Sequence, residues 1–173
     1  MNVSAMAVAI AGLLFVPISG VSAQGITDAQ IASIVVTANQ VDIDAGKLAA
    51  TRTSNRDVKA FAQLMVTDHT AVNRSATELV TKLKVTPQDN PTSQSLKSGG
   101  EKNLVALKDL KGAAFDKAYV DNEVAYHKAV DSALETLLIP SASNAELKGL
   151  LQTGLKIFQG HEQHAEHVAS ELK

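Results

Sequence analysis

The sequence predicts an all-α domain: a four-helix bundle with a short extra helix in the crossover between the second and third long helices. Three observations predict it. Apolar residues recur at alternating steps of four and three along four long segments, the period of packed helices. Pro87, Pro91 and Pro140 fall between those segments and not within them. No stretch alternates apolar and polar residues with the period of two that a strand requires.

Each element has its own justification. Thr27-Asp-Ala-Gln30 is a capping box, predicting a first helix to about Arg52 with Ile31, Val35, Ala38, Asp42, Ala45 and Ala49 on its seam. Ser54 or Asn55 caps a second, whose seam is Val58, Ala62, Met65, His69, Val72, Ala76, Leu79 and Leu83. Val85 to Ser93 breaks the pattern. From Gln94 to Leu110 a weaker segment carries Leu96, Leu104, Leu107 and Leu110, and Gly99-Gly100 is expected to divide it into a loop and a short amphipathic helix. A third long helix follows from about Ala113 to Leu138, with Val120, Glu123, His127, Val130, Leu134 and Leu137 on one stripe and Pro140 ending it. Ser143-Asn-Ala-Glu146 reads as a second capping box. It opens a last helix along Leu147, Leu151, Gly154, Phe158, His161, Ala165, Val168 and Leu172. The 28-residue connection from Val85 to Gly112 is long enough for a crossover, which favours a ferritin-like arrangement of the bundle.

Composition narrows the setting. The first charged residue is Asp28; Ala5 to Val16 is apolar, and Val21-Ser22-Ala23 carries small residues where a signal peptidase reads them. Residues 1–23 are therefore expected to be a signal peptide, although no Lys or Arg precedes the apolar stretch, and a retained N-terminal anchor is the alternative. Residues 24–173 form the expected bundle domain, in the periplasm or secreted, with no integral membrane domain after cleavage. The chain has no Cys, so disulfides play no part in its stability. Its net charge is −2, with both signs interspersed, and it lacks Trp. Neither a basic face nor a set of stacking platforms for nucleic acid is expected.

The chemistry is concentrated in a few side chains. His69, His127 and His161 lie on the apolar seams of three helices, and Asp42 holds the matching position on the first. A helix rises about 1.5 Å per residue, so distance from a turn gives height. Asp42 lies 13 residues before Asn55 and His69 lies 14 after it, placing both at one level. His127 and His161 differ by about one turn around the second hairpin, and Glu123 matches His161 better. Burying a neutral polar group alone costs roughly 2–7 kcal/mol, so such a set needs partners. Three imidazoles with Asp42 or Glu123 suit Zn(II), and Cu(II), Fe(II) or Mn(II) acceptably. A metal-free hydrogen-bonded network would satisfy the same groups. Asp44 is expected in solvent or paired with Lys47, Asp68 beside His69 as a flanking group, His164 and His167 on the surface, and Tyr119 and Tyr126 in packing roles. No Glu-x-x-His pair occurs, which counts against two-iron chemistry. No Ser/His/Asp order or Gly-rich phosphate loop occurs either.

At these residues the chain resembles the bacterial ferritin-like envelope proteins of the domain of unknown function 4142 family. The matching stretches are Asp42-Ile-Asp-Ala-Gly-Lys-Leu-Ala49, Asn55 to Ala62 continuing into Met65-Val-Thr-Asp-His69, Phe115-Asp-Lys-Ala-Tyr119, Glu123-Val-Ala-Tyr-His127 and Phe158 to Ala165. The resemblance implies an exported four-helix bundle. Members usually carry Glu where this chain has Asp42 and Asp44.

The expected function is an exported bundle binding one divalent metal ion through His69, His127 and His161, with Asp42 or Glu123 completing the set, in binding or envelope stress protection and not turnover. The alternative is a metal-free structural protein presenting the Gln94 to Leu110 segment to an envelope protein partner. A ferritin-like redox enzyme ranks third.

Overall fold

The computed structural model describes residues 25–172; the expected signal peptide lies outside them. Among the described residues every regular element is helical: α1 (Asp28–Arg52), α2 (Arg56–Leu83), α3 (Pro91–Lys108), α4 (Gly112–Ala133), a π-helical turn (Leu134–Leu138), α5, a single turn (Ile139–Ser141), and α6 (Ala145–Glu171). None is long and apolar enough to cross a membrane.

The caps explain where the helices begin. Thr27 and Gln30 close the expected capping box on α1, and the Asn55 side chain accepts from the Asp57 and Val58 N–H groups to open α2. The cap of α6 is Asn144 and not Ser143: its side chain accepts from the Glu146 and Leu147 N–H groups. The Ser143 and Asn144 N–H groups instead donate to the two carboxylate oxygens of Asp28, at 2.8 and 2.9 Å. One side chain on the first turn of α1 thereby holds the entry to α6.

The segment expected to be broken at Gly99-Gly100 is one continuous helix, α3. Asn90 and Ser93 form its capping box, with Pro91 at its start, where a missing N–H costs nothing. Gly100 does not break it because the glycine serves close approach. A Cβ there would lie 2.7 and 2.8 Å from the two methyls of Val41 on α1, so α3 lies nearer to α1 than any side chain at this position allows. Both ends of α3 are tied to the same helix. Asn90 donates to the Gln30 carbonyl at 3.2 Å, Ser33 donates to Asp89 at 3.0 Å, and Arg52 donates to the Lys108 and Leu110 carbonyls at 2.8 and 3.0 Å. Start lies by start and end by end, so α3 runs parallel to α1. It returns the chain to the far end of the molecule before α4 begins.

Pro140 does not end the last turns of α4 where expected. The helix continues to Ser141 by widening into the π turn, in which the Ile139 N–H reaches back five residues to the Leu134 carbonyl. Widening relieves the clash between a helical proline ring and the carbonyl four residues earlier. It also resets the register: Leu134 and Leu138 are buried, whereas Leu137, expected on the stripe, is 43 % exposed.

α1 packs along α2, α4 along α6, and α2 against α6, with α3 laid on α1. Covered on two sides, α1 buries more than one stripe, including Ile34, Asn39 and Ile43. The apolar interior forms two clusters. One gathers Ala49, Val58, Phe61, Met65, Leu107, Phe115, Tyr119 and Val168; the other gathers Ile31, Ile34, Val72, Leu134, Leu138, Leu147, Leu151 and Phe158. Between them lies a layer of polar side chains.

Candidate metal centre

Each group of that layer comes from mid-helix, where backbone hydrogen bonds hold its position. α1 contributes Asn39 and Asp42, α2 His69, α4 Glu123 and His127, and α6 His161. Asp42, Glu123 and His127 are each 1 % exposed, His69 3 % and His161 4 %, so water cannot satisfy them and the protein must.

For the imidazoles it does so on one side only. His69 donates from Nδ1 to the Asn39 side-chain oxygen at 2.7 Å; the Asn39 amide is oriented by its own donation to the Val35 carbonyl at 3.0 Å. His127 donates from Nδ1 to the Glu123 carbonyl at 3.0 Å. His161 donates from Nε2 to the Asp68 carboxylate at 2.9 Å. With one ring proton placed in each, the remaining nitrogens are bare lone pairs: His69 Nε2, His127 Nε2 and His161 Nδ1, none with a hydrogen-bond partner. The rings crowd together, with centroids 5.2–5.6 Å apart. One ring nitrogen of each histidine lies close enough to one of each of the others to share one ion. The expected height mismatch of His161 does not separate it from the other two rings.

The carboxyls form a second, overlapping group. Asp42, Glu123 and His127 also bring one ligand atom each within reach of a common ion, so His127 belongs to both trios. Asp42 Oδ2 lies 3.2 Å from His69 Nε2 and 3.5 Å from His127 Nε2. Glu123 thus joins Asp42 and His127 and not His161, the residue its height matched. Counted as carboxylates, both Asp42 oxygens and Glu123 Oε2 accept nothing.

Burial sets the protonation states. It pushes Asp42 up to about 8, with a hydrogen bond from Glu123 acting the other way. It pushes Glu123 well above the carboxylate range, and the neighbouring Asp42 adds to the rise. Burial thus favours the protonated form of both carboxyls at neutral pH when no cation is near. Burial, then the neighbouring His127 and His161, pushes His69 down to about 2. Burial likewise brings His127 to about 4 and lowers His161 against the pull of Asp68. At neutral pH all three rings are uncharged, which is the ligating form. A buried set of three neutral imidazoles and a carboxyl pair has the donors to hold a divalent ion, and two ionised carboxylates would balance its charge.

All five residues marked from the sequence lie in this layer. Sequence reasoning did not find Asn39, which stands one position off the assumed seam; its only signal is an amide among apolar neighbours. Asp68 serves His161 and not its neighbour His69. Asp44 accepts from Gln40 at 2.8 Å and not from Lys47. His164 stands half-buried, edge-on to Phe61 at 5.1 Å, and His167 is exposed, so neither joins the centre. Tyr126 donates to the Ala38 carbonyl at 2.9 Å, and Tyr119 is buried in the first apolar cluster.

The sequence pattern of one family, described as Domain of unknown function (DUF4142), matches residues 19–168. No curated protein and no solved structure matches the chain.

Proposed function

This chain belongs to the DUF4142 family, and from its buried centre we propose an exported, ferritin-like four-helix bundle that binds a divalent metal ion. His69, His127 and His161 are the proposed ligands, with Asp42 or Glu123 completing the set. One observation carries the reading: three buried imidazoles each give one ring proton to an outer acceptor, keep the other nitrogen unpartnered, and bring one ring nitrogen apiece within reach of a common ion. An outer partner that fixes tautomer and ring orientation is the usual companion of a metal-bound histidine. A metal-free network can reach the inner nitrogens of His69 and His127 only through a protonated Asp42, whose Oδ2 lies 3.2 and 3.5 Å from them, and it leaves His161 Nδ1 unpartnered, a costly state for a buried acceptor. The donor set suits Zn(II), Cu(II), Fe(II) or Mn(II), and the role proposed is binding in envelope protection.

In this reading the chain's own groups do three things. Asn39, the Glu123 carbonyl and Asp68 hold the rings in the ligating tautomer. Asp42 and Glu123, both held protonated by burial, would each give up a proton to balance the charge of a bound cation. Phe158, stacked on His69 at 4.8 Å and 9°, helps exclude water. Elemental analysis of untagged protein, purified without chelator and also reloaded with each of the four metals, tests it. Stoichiometric metal in wild type and its loss in His69→Ala and His127→Ala are expected; a wild type that holds none of the four overturns it.

A second reading, a metal-free interaction protein, draws on Val105 of α3, 62 % exposed. It requires that chelator leave the melting temperature unchanged.

A further inference from the structure

A cavity of about 160 Å³ lies against the polar layer, between α1, α3, α4 and α6. Its walls are Val35 and Ala38 of α1, Leu96 of α3, Val130 at the end of α4, Leu134 of the π turn and Phe158 of α6. Exposed Thr92 lines it on the solvent side, and His69 and His127 line its inner side.

The polar groups in its wall are mostly committed elsewhere. Tyr126 gives its hydroxyl proton to the Ala38 carbonyl. Both ends of the Asn39 amide are used, by His69 Nδ1 and by the Val35 carbonyl. His127 Nδ1 is held by the Glu123 carbonyl. The wall that a molecule inside would meet is nearly all hydrocarbon, with the open side toward solvent at Thr92. Besides the hydroxyl of Thr92 on the solvent side, the groups left uncommitted in the wall are His69 Nε2 and His127 Nε2.

We propose that this cavity binds small, neutral, apolar molecules, from a diatomic gas to a single six-membered ring, and holds them beside the His69 and His127 imidazoles. The class follows from the wall: a charged or hydrogen-bonding guest would lose its hydration and gain no partner. A cavity of comparable size, about 150 Å³ and lined by apolar side chains, stays dry and takes xenon or benzene. Interiors are close-packed, so an apolar recess that reaches in as far as the His69 and His127 rings calls for an occupant. What the guest would meet there rests on the metal reading; the presence of the site does not.

Xenon pressurisation of crystals of the metal-free protein tests the proposal independently of any metal. A xenon peak between Leu134 and Phe158 is expected, lost in Val130→Phe, which fills the space, and of higher occupancy in Leu134→Ala, which enlarges it. An absence of xenon from wild type, a chain of ordered water in its place, or an undiminished peak in Val130→Phe would overturn it. Should the variants fail to fold, the wild-type crystal alone still decides between xenon and water. A protein that takes xenon yet holds no metal would refute the metal reading and leave this one standing.

Discussion

Asn39 accepts the Nδ1 proton of His69 at 2.7 Å while its own amide donates to the Val35 carbonyl one turn back. The pair converts an ordinary helix carbonyl into a device that fixes which nitrogen of His69 stays bare. Asn39→Ala should leave a buried N–H unpaired, costing about 1–3 kcal/mol of stability. Metal affinity should fall about 10- to 100-fold, the usual effect of losing an outer-sphere partner. Chelator competition and urea unfolding on the same preparation check both, and unchanged affinity would show that Asn39 does not orient the ring.

Adjacent glycines on α3 should respond with opposite signs. Gly99 faces open space, so Gly99→Ala should stabilise by about 0.5–1 kcal/mol through helix propensity. Gly100→Ala drives a methyl onto Val41 and should destabilise by about 1–3 kcal/mol. Val41→Ala should recover part of that loss in the double variant, as urea midpoints would reveal.

Asp28 links the starts of α1 and α6 through two charge-assisted hydrogen bonds. Asp28→Ala should lower stability by about 1–2 kcal/mol, at the low end for bonds to a charged group because the site is half-exposed. Asp28→Asn keeps one acceptor and should restore part of it. Thermal unfolding at fixed pH is the measurement.

Acid acts on the metal-free centre with two opposite signs. His127 and His69 are pushed below the ordinary 6.5, to about 4 and about 2, so the unfolded chain takes up their protons first as pH falls below 6.5 and these rings cost stability. Asp42, pushed up to about 8, and the raised Glu123 act the other way, because the folded state takes up their protons first. His127→Gln removes one ring and keeps the carboxyls, so the melting temperature of the chelator-treated variant relative to wild type should rise as pH falls from 6.5 to about 4; a difference independent of pH would show that His127 is not held neutral.

Much of this was legible because the seam is periodic. Steps of four and three place Asp42, His69, Glu123, His127 and His161 on buried faces without knowledge of the packing. Hidden features depend on neighbours that the period does not name. Asn39 reads as an ordinary polar residue until α2 is placed beside it and His69 reaches its side-chain oxygen, and Gly99-Gly100 reads as a break until Val41 is seen beside it. Pro140 reads as a stop because the widening of a helix by one residue leaves no local mark. The three imidazoles come from three separate helices, and the one carboxyl of the centre that shares a helix with an imidazole, Glu123, stands four residues before His127 and not three.

The polar layer also means that no continuous hydrocarbon column joins the two ends of the molecule. Phe61 and Met65 cohere on one side, Ile31 and Leu151 on the other, and what sits in the middle governs how firmly the halves are joined. An ion gripped from three rods would act as a rivet across that plane. Its removal should first loosen the midsection and then let each end breathe on its own, so that amide exchange would divide the chain by height and not by helix.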